Sequence, residues 1–192
     1  MSSIGEVTAE LPRGRPVAER RERALVRAAQ RGDARALEEL FRRHWPRAHR
    51  AAVLVVGDAA AAEDIAQEAF LAAVRALDRF DRRRPFGPWL HRIVVNRSID
   101  WARARTLRRE LGVDDAPEPA AAERAESPHA RALAAALADL GPEHRAVVVL
   151  RYLLDYTPGE IAQLLGLPRG TVNSRLRRGL DRLEATLREE LR

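Results

Sequence analysis

The chain has 192 residues, with 34 basic and 28 acidic side chains, five histidines and no cysteine, and its net charge is +6 at neutral pH. All the basic residues counted are arginine, so chemistry that needs a lysine, such as a P-loop or a Schiff base, is excluded, and the lack of cysteine excludes disulfides and thiol catalysis. The length allows one domain or two small ones, and the excess of arginine favours a polyanionic partner.

The first 20 residues are polar and lack a helical period, which predicts a disordered basic tail at residues 1–20. Within it, Pro12-Arg-Gly-Arg-Pro16 is similar to the core of an AT-hook, a motif that places arginines in a narrow minor groove. A plain basic tail is the alternative interpretation.

Apolar residues at helical spacing begin near Arg21 and continue on both sides of a break at Gly32-Asp33. Pro46 is expected to start a new helical segment that ends at Gly57, and a long helix is expected over residues 59–80. No segment alternates apolar and polar residues in the manner of a strand. The pattern therefore predicts an all-α fold, with a first domain over residues 21–106.

The helix predicted at residues 59–80 carries a partly acidic stripe. Its members are spaced at i, i+3, i+4 and i+7, and a different face carries the apolar residues; the stripe consists of Asp64, Gln67, Glu68 and Leu71. This stripe is a candidate docking site, and an ordinary solvated face is the alternative.

A strongly basic segment follows, because residues 75–109 contain eleven arginines and three acids. A loop at residues 81–87 precedes a helix expected to start at Pro88 and to fade near Thr106. Arginine, amide and aromatic groups together can hold a nucleic-acid single strand, and the candidates in the loop and on one helix face are Arg82, Arg83, Arg84, Phe86, Arg92, Asn96, Asp100 and Arg103. Packing in the core is the alternative for the aromatic residues, and we favour this alternative for Trp89 and Trp101.

Residues 107–130 are rich in alanine and proline, and residues 110–126 contain six acids and one arginine. This composition predicts a flexible acidic linker. Helical periodicity resumes in residues 131–192, so the sequence predicts two small helical domains on a tether.

The second domain ends in a predicted helix-turn-helix. Thr157 and Glu160 can form a capping box, Gly166 ends the first helix, and Pro168 opens the second. An apolar stripe is expected to be buried along the second helix, at Val172, Leu176, Leu180, Leu183, Leu187 and Leu191. The side chains expected to point away from that stripe, where a major groove could accept them, are Thr171, Ser174 and Arg178, flanked by Arg175 and Arg177. A basic solvated face on a structural hairpin is the alternative.

Three motifs together resemble one family. Residues 64–70 read Asp-Ile-Ala-Gln-Glu-Ala-Phe, residues 86–101 read Phe-Gly-Pro-Trp-Leu-His-Arg-Ile-Val-Val-Asn-Arg-Ser-Ile-Asp-Trp, and residues 170–176 read Gly-Thr-Val-Asn-Ser-Arg-Leu. In this order they resemble regions two and four of the extracytoplasmic-function (ECF) sigma factors of bacterial RNA polymerase, over about residues 22–106 and 131–188. The resemblance implies a first domain that binds the β′ coiled coil and melts the minus-10 element, and a second that reads the minus-35 element as duplex.

The resemblance also implies roles for single residues. Asp64, Gln67 and Glu68 match the polymerase-docking helix, Asn96 matches the side chain that captures a flipped minus-10 base, and loop 81–87 matches the loop that frames this base. Asn173, Ser174, Arg177 and Arg178 match the minus-35 reading positions, and the full set of predicted minus-35 contacts adds Arg169, Thr171 and Arg175. Position 173 is often basic in the family, so Asn173 leaves the minus-35 sequence open.

The sequence predicts a sigma factor that performs no covalent chemistry, with core RNA polymerase (β′ coiled coil and β flap), promoter DNA and an anti-sigma factor as partners. A stand-alone helix-turn-helix regulator is the alternative. Neither catalytic residues nor cofactors are expected, and a metal site is not expected because His44 and His49 show no obvious carboxylate pairing. All five histidines are interpreted as surface or satisfied residues. The location is expected to be cytoplasmic, with the nucleoid when active and without membrane insertion.

Overall fold

The computed structural model describes residues 15–112 and 127–190. In these two ranges the chain forms eight α-helices, one short 3-10 turn and no strand. The first four helices are α1 (Arg15–Ala29), α2 (Ala34–Val56), α3 (Ala59–Ala76) and α4 (Phe86–Glu110), with the 3-10 turn Leu77–Arg79 after α3. The other four are α5 (Pro128–Ala138), α6 (Pro142–Tyr152), α7 (Pro158–Leu165) and α8 (Arg169–Glu190). The predicted all-α class is confirmed.

The first four helices pack around one apolar core. Val26, Leu40, Phe70 and Leu90 bring one buried side chain from each of α1 to α4 into it. Aspartates start two of these helices, because the carboxylate of Asp33 accepts from the first N–H groups of α2 and that of Asp58 does the same for α3. The loops are therefore short and defined by side-chain caps.

Pro46 lies inside α2 and does not start a new segment as predicted. The proline removes one backbone hydrogen bond, but Leu40 before it and Ala48 after it are both fully buried on the same side of the helix. Trp45 stacks on Phe41 one turn earlier, with ring centroids 4.8 Å apart. Tertiary packing on both sides of the proline therefore keeps α2 continuous.

The observed ends of three other helices differ from the predicted ones. Helix α1 begins at Arg15, inside the segment predicted as a tail; Pro16 stands in the first turn, which tolerates proline, and Glu19 and Arg23 form an i,i+4 pair. Helix α3 gives way to the 3-10 turn after Ala76, and α4 extends four residues beyond Thr106. Residues 12–14 of the AT-hook-like segment and residues 113–126 of the predicted linker lie outside the described residues.

The last four helices form the second bundle. Ser127 caps α5 by accepting from the Ala130 N–H, and proline occupies the first turn of α5, α6 and α7. Val147, Leu150 and Ile161 are fully buried between α6, α7 and α8. This bundle carries the helix-turn-helix predicted from the sequence.

The two bundles pack against each other through α6 and α7, which lie on α2 and α4. Val55 and Val95 from the first bundle share one apolar cluster with Val147 and Leu150 from the second. The buried guanidinium of Arg145 donates to the carbonyl oxygens of Val55 (3.0 Å), Ala138 and Leu140 (2.6 and 2.9 Å). Two helix C-termini from different bundles are thus satisfied by one side chain.

Candidate nucleic-acid and docking interfaces

The helix-turn-helix has the caps that its sequence predicts. The Thr157 hydroxyl accepts from the Glu160 N–H at 3.3 Å, and the Glu160 carboxylate accepts from the Thr157 N–H at 2.8 Å. Gly166 ends α7 in the left-handed conformation, at φ 67° and ψ 35°, and lets the chain turn sharply into α8. The angle between the two helices is thereby defined by local residues.

The exposed face of α8 carries the predicted arginines. Arg169, Asn173, Arg177 and Arg178 are exposed, and within the described ranges Arg177 and Arg178 have no ion-pair partner within 4 Å. Thr171, Ser174 and Arg175 are half-buried, and the Ser174 hydroxyl donates to the Thr171 carbonyl oxygen at 2.9 Å. Arg177 and Arg178 are therefore free to grip an anionic or guanine-bearing partner.

The buried face of α8 corrects one predicted position. Val172, Leu176 and Leu183 are buried, but Leu180 is 38 % exposed. Gly179 takes its place against α6, where an added Cβ would lie 3.0 Å from the Val148 Cγ2. The glycine allows a close helix approach, and this approach rotates Leu180 toward solvent.

The predicted docking stripe on α3 is exposed. Asp64, Gln67 and Glu68 are all exposed, and Leu71 is 55 % exposed. The Glu68 carboxylate accepts from Arg97 of α4 at 2.9 Å, and the Gln67 amide donates to Glu63 at 3.2 Å. The stripe thus combines negative charge with an unburied leucine, an unusual pair for a purely solvated face.

An apolar groove adjoins this stripe, between α2 and α3. Phe41 and Val74 are each 41 % exposed beside Leu71 and Gln67, and the groove encloses about 440 Å³. Phe41 and Val74 were not predicted as site residues, because the break expected at Pro46 obscured how α2 lies along α3. Their helical spacing could have placed them on the α2–α3 contact, but not at its open edge.

The basic loop is exposed, whereas its aromatic neighbour is not. Arg82, Arg83 and Arg84 are all exposed, and Arg92 follows on the exposed side of α4. Phe86, predicted as a minus-10 contact, is only 4 % exposed, and its ring packs 5.9 Å from Phe80 and 5.5 Å from Trp89. Phe86 is the first residue of α4 and belongs to the core, so its ring is not available in this structure for the predicted contact with an unpaired base.

Asn96 lies half-buried in a cleft between the two bundles. The cleft encloses about 290 Å³, and its walls include Leu165 and Leu167 of the turn region and Arg175 of α8. At its edge, Arg103 donates to Glu143 at 2.6 Å, and this ion pair lowers the pKa of Glu143 against the effect of burial, which raises it. Asn96 and Arg175, which are predicted to read different DNA elements, thus line the same cleft.

Three histidines differ from their predicted settings. His44 and His49 do have carboxylate partners, since their Nε2 atoms lie 3.0 Å from Glu22 of α1 and 3.6 Å from Glu63 of α3. His91 is buried and shares a 2.7 Å hydrogen bond with the Tyr156 hydroxyl, while its Nε2 is buried without a hydrogen-bond partner among the described residues. Packing between separate helices creates all three settings, so local sequence could not show them.

Comparison with known proteins places this geometry in a family. Residues 40–108 match Sigma-70 region 2, and residues 130–183 match Sigma-70, region 4. ECF RNA polymerase sigma factor SigM of Mycobacterium tuberculosis is 36% identical over 169 residues, which are 88% of this chain and 86% of that protein. The chain belongs to the ECF RNA polymerase sigma factors.

Other ECF sigma factors support the same assignment. SigL of Mycobacterium tuberculosis is 35% identical over 171 residues, which cover 86% of this chain and 97% of SigL. A structure of CnrH in complex with the cytosolic domain of CnrY matches with a TM-score of 0.66 and 31% identity, over 88% of this chain and 97% of that one. The fold is also shared with RpoE of Bartonella quintana, at a TM-score of 0.64 and 23% identity, over 79% and 96% of the two chains.

This ECF sigma factor is a transcription initiation factor that directs core RNA polymerase to specific promoters and assists their opening. None of the helices in the described ranges combines the length and the apolar character that crossing a bilayer requires.

Proposed function

We propose that this sigma factor uses three separate surfaces in initiation: an acidic and apolar stripe for core polymerase, a basic face for the melted minus-10 strand, and α8 for the minus-35 duplex. The observation that carries the proposal is the exposure of all three charged surfaces on a chain of this family. The sigma factor performs no covalent chemistry of its own. We place its action in the cytoplasm, with polymerase on the nucleoid.

Core polymerase docks on α3 and the adjoining groove in this proposal. Asp64 and Glu68 attract basic side chains of the partner, while Leu71, Phe41 and Val74 bury apolar ones. A helical partner suits this surface, because an amphipathic helix can lay its apolar face into a groove of about 440 Å³. The β′ coiled coil of polymerase supplies such a partner, and the β flap is the proposed partner of the second bundle.

The minus-10 strand binds across the loop and the first half of α4. Arg82, Arg83, Arg84 and Arg92 contact phosphates, and the Asn96 amide hydrogen-bonds the edge of one unpaired base. Phe86 has no part in this contact, because its ring is buried. Asn96 is half-buried in the cleft between the two bundles, so we expect the second bundle to move away when a base enters.

The minus-35 element binds α8 in its major groove. Arg178 and Arg177 are long enough to reach base edges and phosphates, while Ser174 and Thr171 allow a close approach of the helix. Asn173 is exposed beside them and can accept or donate at a base edge. Arg169 lies in the first turn of α8 and contacts the phosphate backbone.

An inhibitor protein of the anti-sigma type is a further proposed partner. The support is the related CnrH, which was solved in complex with the cytosolic domain of CnrY. The same α2–α3 groove offers apolar surface that such a protein could occupy in competition with polymerase.

A binding assay with and without core polymerase tests the proposed function. We expect no stable shift of a duplex promoter by the free protein, and a sequence-specific complex with a forked promoter once core polymerase is added. A tight complex of the free protein with a palindromic duplex, unchanged by core polymerase, would instead support the stand-alone regulator.

A further inference from the structure

The exposed arginine loop, residues 81–85, leaves the first bundle after the 3-10 turn and re-enters it at the start of α4. Residues of α1 and of the turn directly after it contact both of these points. The Gln30 side-chain amide donates to the carbonyl oxygens of Leu77 (2.8 Å) and Phe80 (3.1 Å), just before the loop. The Glu22 carboxylate accepts from the Phe86 N–H (3.2 Å), just after it.

Glu22 replaces the local cap that α4 lacks. Pro85 occupies the N-cap position and makes no side-chain hydrogen bond there. Helix N-termini favour a negatively charged acceptor, and Glu22 brings one from 64 residues away in sequence. The first N–H of α4 is therefore satisfied by α1 and not by the loop.

The Glu22 carboxylate is itself held in place. Its second oxygen lies 3.0 Å from Nε2 of His44, and the His44 ring packs so closely on Gly87 that an added Cβ would lie 3.3 Å from Cε1. Burial raises the pKa of Glu22, but the hydrogen bonds from His44 and from the Phe86 N–H outweigh burial and lower it. Glu22 is thus a charged, oriented acceptor at neutral pH.

Gln30 holds the other end of the arginine loop. The Leu77 carbonyl oxygen already accepts from the Phe80 N–H at 3.0 Å, and the two N–H groups of the Gln30 amide add a second bond to Leu77 and one to the Phe80 carbonyl oxygen. Inside the loop, Asp81 accepts from the Arg83 backbone N–H at 3.0 Å and from its Nε at 3.2 Å. Hydrogen bonds within the loop thus define its shape, while Glu22 of α1 and Gln30 define its position on the first bundle.

We propose that Glu22 and Gln30 are positioning residues, which hold both ends of the arginine loop so that its side chains meet the melted minus-10 strand. The inference rests on the proposed role of this loop. Displacing a binding group by a fraction of an ångström weakens contacts that depend on geometry, so promoter opening should depend on both residues although neither touches DNA.

The test measures promoter opening by holoenzyme with Glu22→Ala, Glu22→Gln and Gln30→Ala, using a fluorescent base analogue in the minus-10 element. Each alanine variant loses hydrogen bonds at one end of the loop and should slow opening about threefold to tenfold. Glu22→Gln keeps an acceptor for the Phe86 N–H and should open within about twofold of wild type. Ile65→Val, a buried truncation in α3, is the control for lost stability.

A second background separates positioning from stability. In a variant with Arg82, Arg83 and Arg84 all changed to alanine, Glu22→Ala and Gln30→Ala should slow opening no further, because nothing is left to position. An equal slowing in this background, or normal opening by both alanine variants beside a slow triple variant, would overturn the positioning role alone. Normal opening by the triple variant would overturn the proposed role of the loop, and the inference with it.

Discussion

Nδ1 of His91 in α4 lies 2.7 Å from the hydroxyl of Tyr156 in the second bundle, and both side chains are buried. This hydrogen bond joins the two bundles across their interface. Burial, with smaller electrostatic contributions from His44 and Arg47, lowers the pKa of His91 to about 4, while Glu22 acts in the opposite direction. The interface is therefore built for a neutral imidazole.

The neutral state of His91 predicts a loss of stability in acid. Because the folded pKa lies below the ordinary value of 6.5, the stabilisation is complete above pH 6.5 and declines as the pH falls toward 4. About 2 kcal/mol should be lost between pH 7.5 and pH 5 through this group. Urea unfolding at the two pH values measures it, and His91→Gln should lose correspondingly less. If His91→Gln loses as much free energy of unfolding between the two pH values as the wild type, other groups cause the acid sensitivity.

Charge reversal on α3 should abolish polymerase docking. Asp64→Arg together with Glu68→Arg places positive charge where the proposed partner is basic, and both side chains are exposed, so the fold should persist. A pull-down with core polymerase measures the loss, with circular dichroism as the check on helicity. Asp78→Arg with Glu110→Arg reverses two exposed acids away from the stripe and is the matched control. Wild-type recovery of core by the first pair would remove α3 from the interface.

The Asn96 amide should read one base. Asn96→Ala removes the proposed hydrogen bonds and leaves the phosphate contacts of the loop, so opening should slow and preference at one minus-10 position should flatten, with core binding intact. Arg92→Ala, one turn earlier on α4, should weaken all minus-10 variants alike. Base preference that survives Asn96→Ala unchanged would place the reader elsewhere.

Arg178 should be the main sequence reader of α8. A bidentate contact to guanine discriminates by about 1 to 3 kcal/mol, so Arg178→Ala should weaken holoenzyme binding to a matched promoter roughly tenfold to a hundredfold. Arg182 is the control, because it lies 4.0 Å from Asp139 and one turn further along the helix. A promoter library scored at two salt concentrations tests both. Uniform loss across the library would make Arg178 a phosphate contact and transfer reading to Asn173 and Arg177.

The bundles should separate when the holoenzyme binds a promoter, because Asn96 lies half-buried in the cleft between them, whose lining includes Leu165 and Leu167. The chain has no cysteine, so spin labels can be introduced at single new cysteines in place of the exposed Ala60 and Gln163. Pulsed electron spin resonance should show one distance in the free protein and a longer one in the promoter complex. An unchanged distance would contradict the proposed access of a base to Asn96.

Elements with local signals were predicted well from the sequence. The capping box of Thr157 and Glu160, the left-handed Gly166 and the polar face of α8 all depend on residues within one or two turns. Thr157 and Glu160 were enough to define where α7 begins, because a helix N-terminus is satisfied by groups close in sequence.

The errors arose where distant residues decide the outcome. Phe86 begins α4 because Glu22 satisfies its N–H, and α2 runs through Pro46 because buried residues hold it on both sides. Arg145 joins the bundles by donating to carbonyl oxygens up to 90 residues away. Hydrophobic periodicity and helix propensity do not carry this information, because all of these features depend on tertiary packing.

Transcription in vitro with purified core polymerase tests the central claim most directly. A genomic template library, with start sites mapped by sequencing the transcripts, should give discrete starts that share one minus-10 and one minus-35 sequence and that disappear without this protein. The Asp64→Arg, Glu68→Arg variant should give none of them. Starts that are the same with and without the protein, or that persist fully with this variant, would contradict the account.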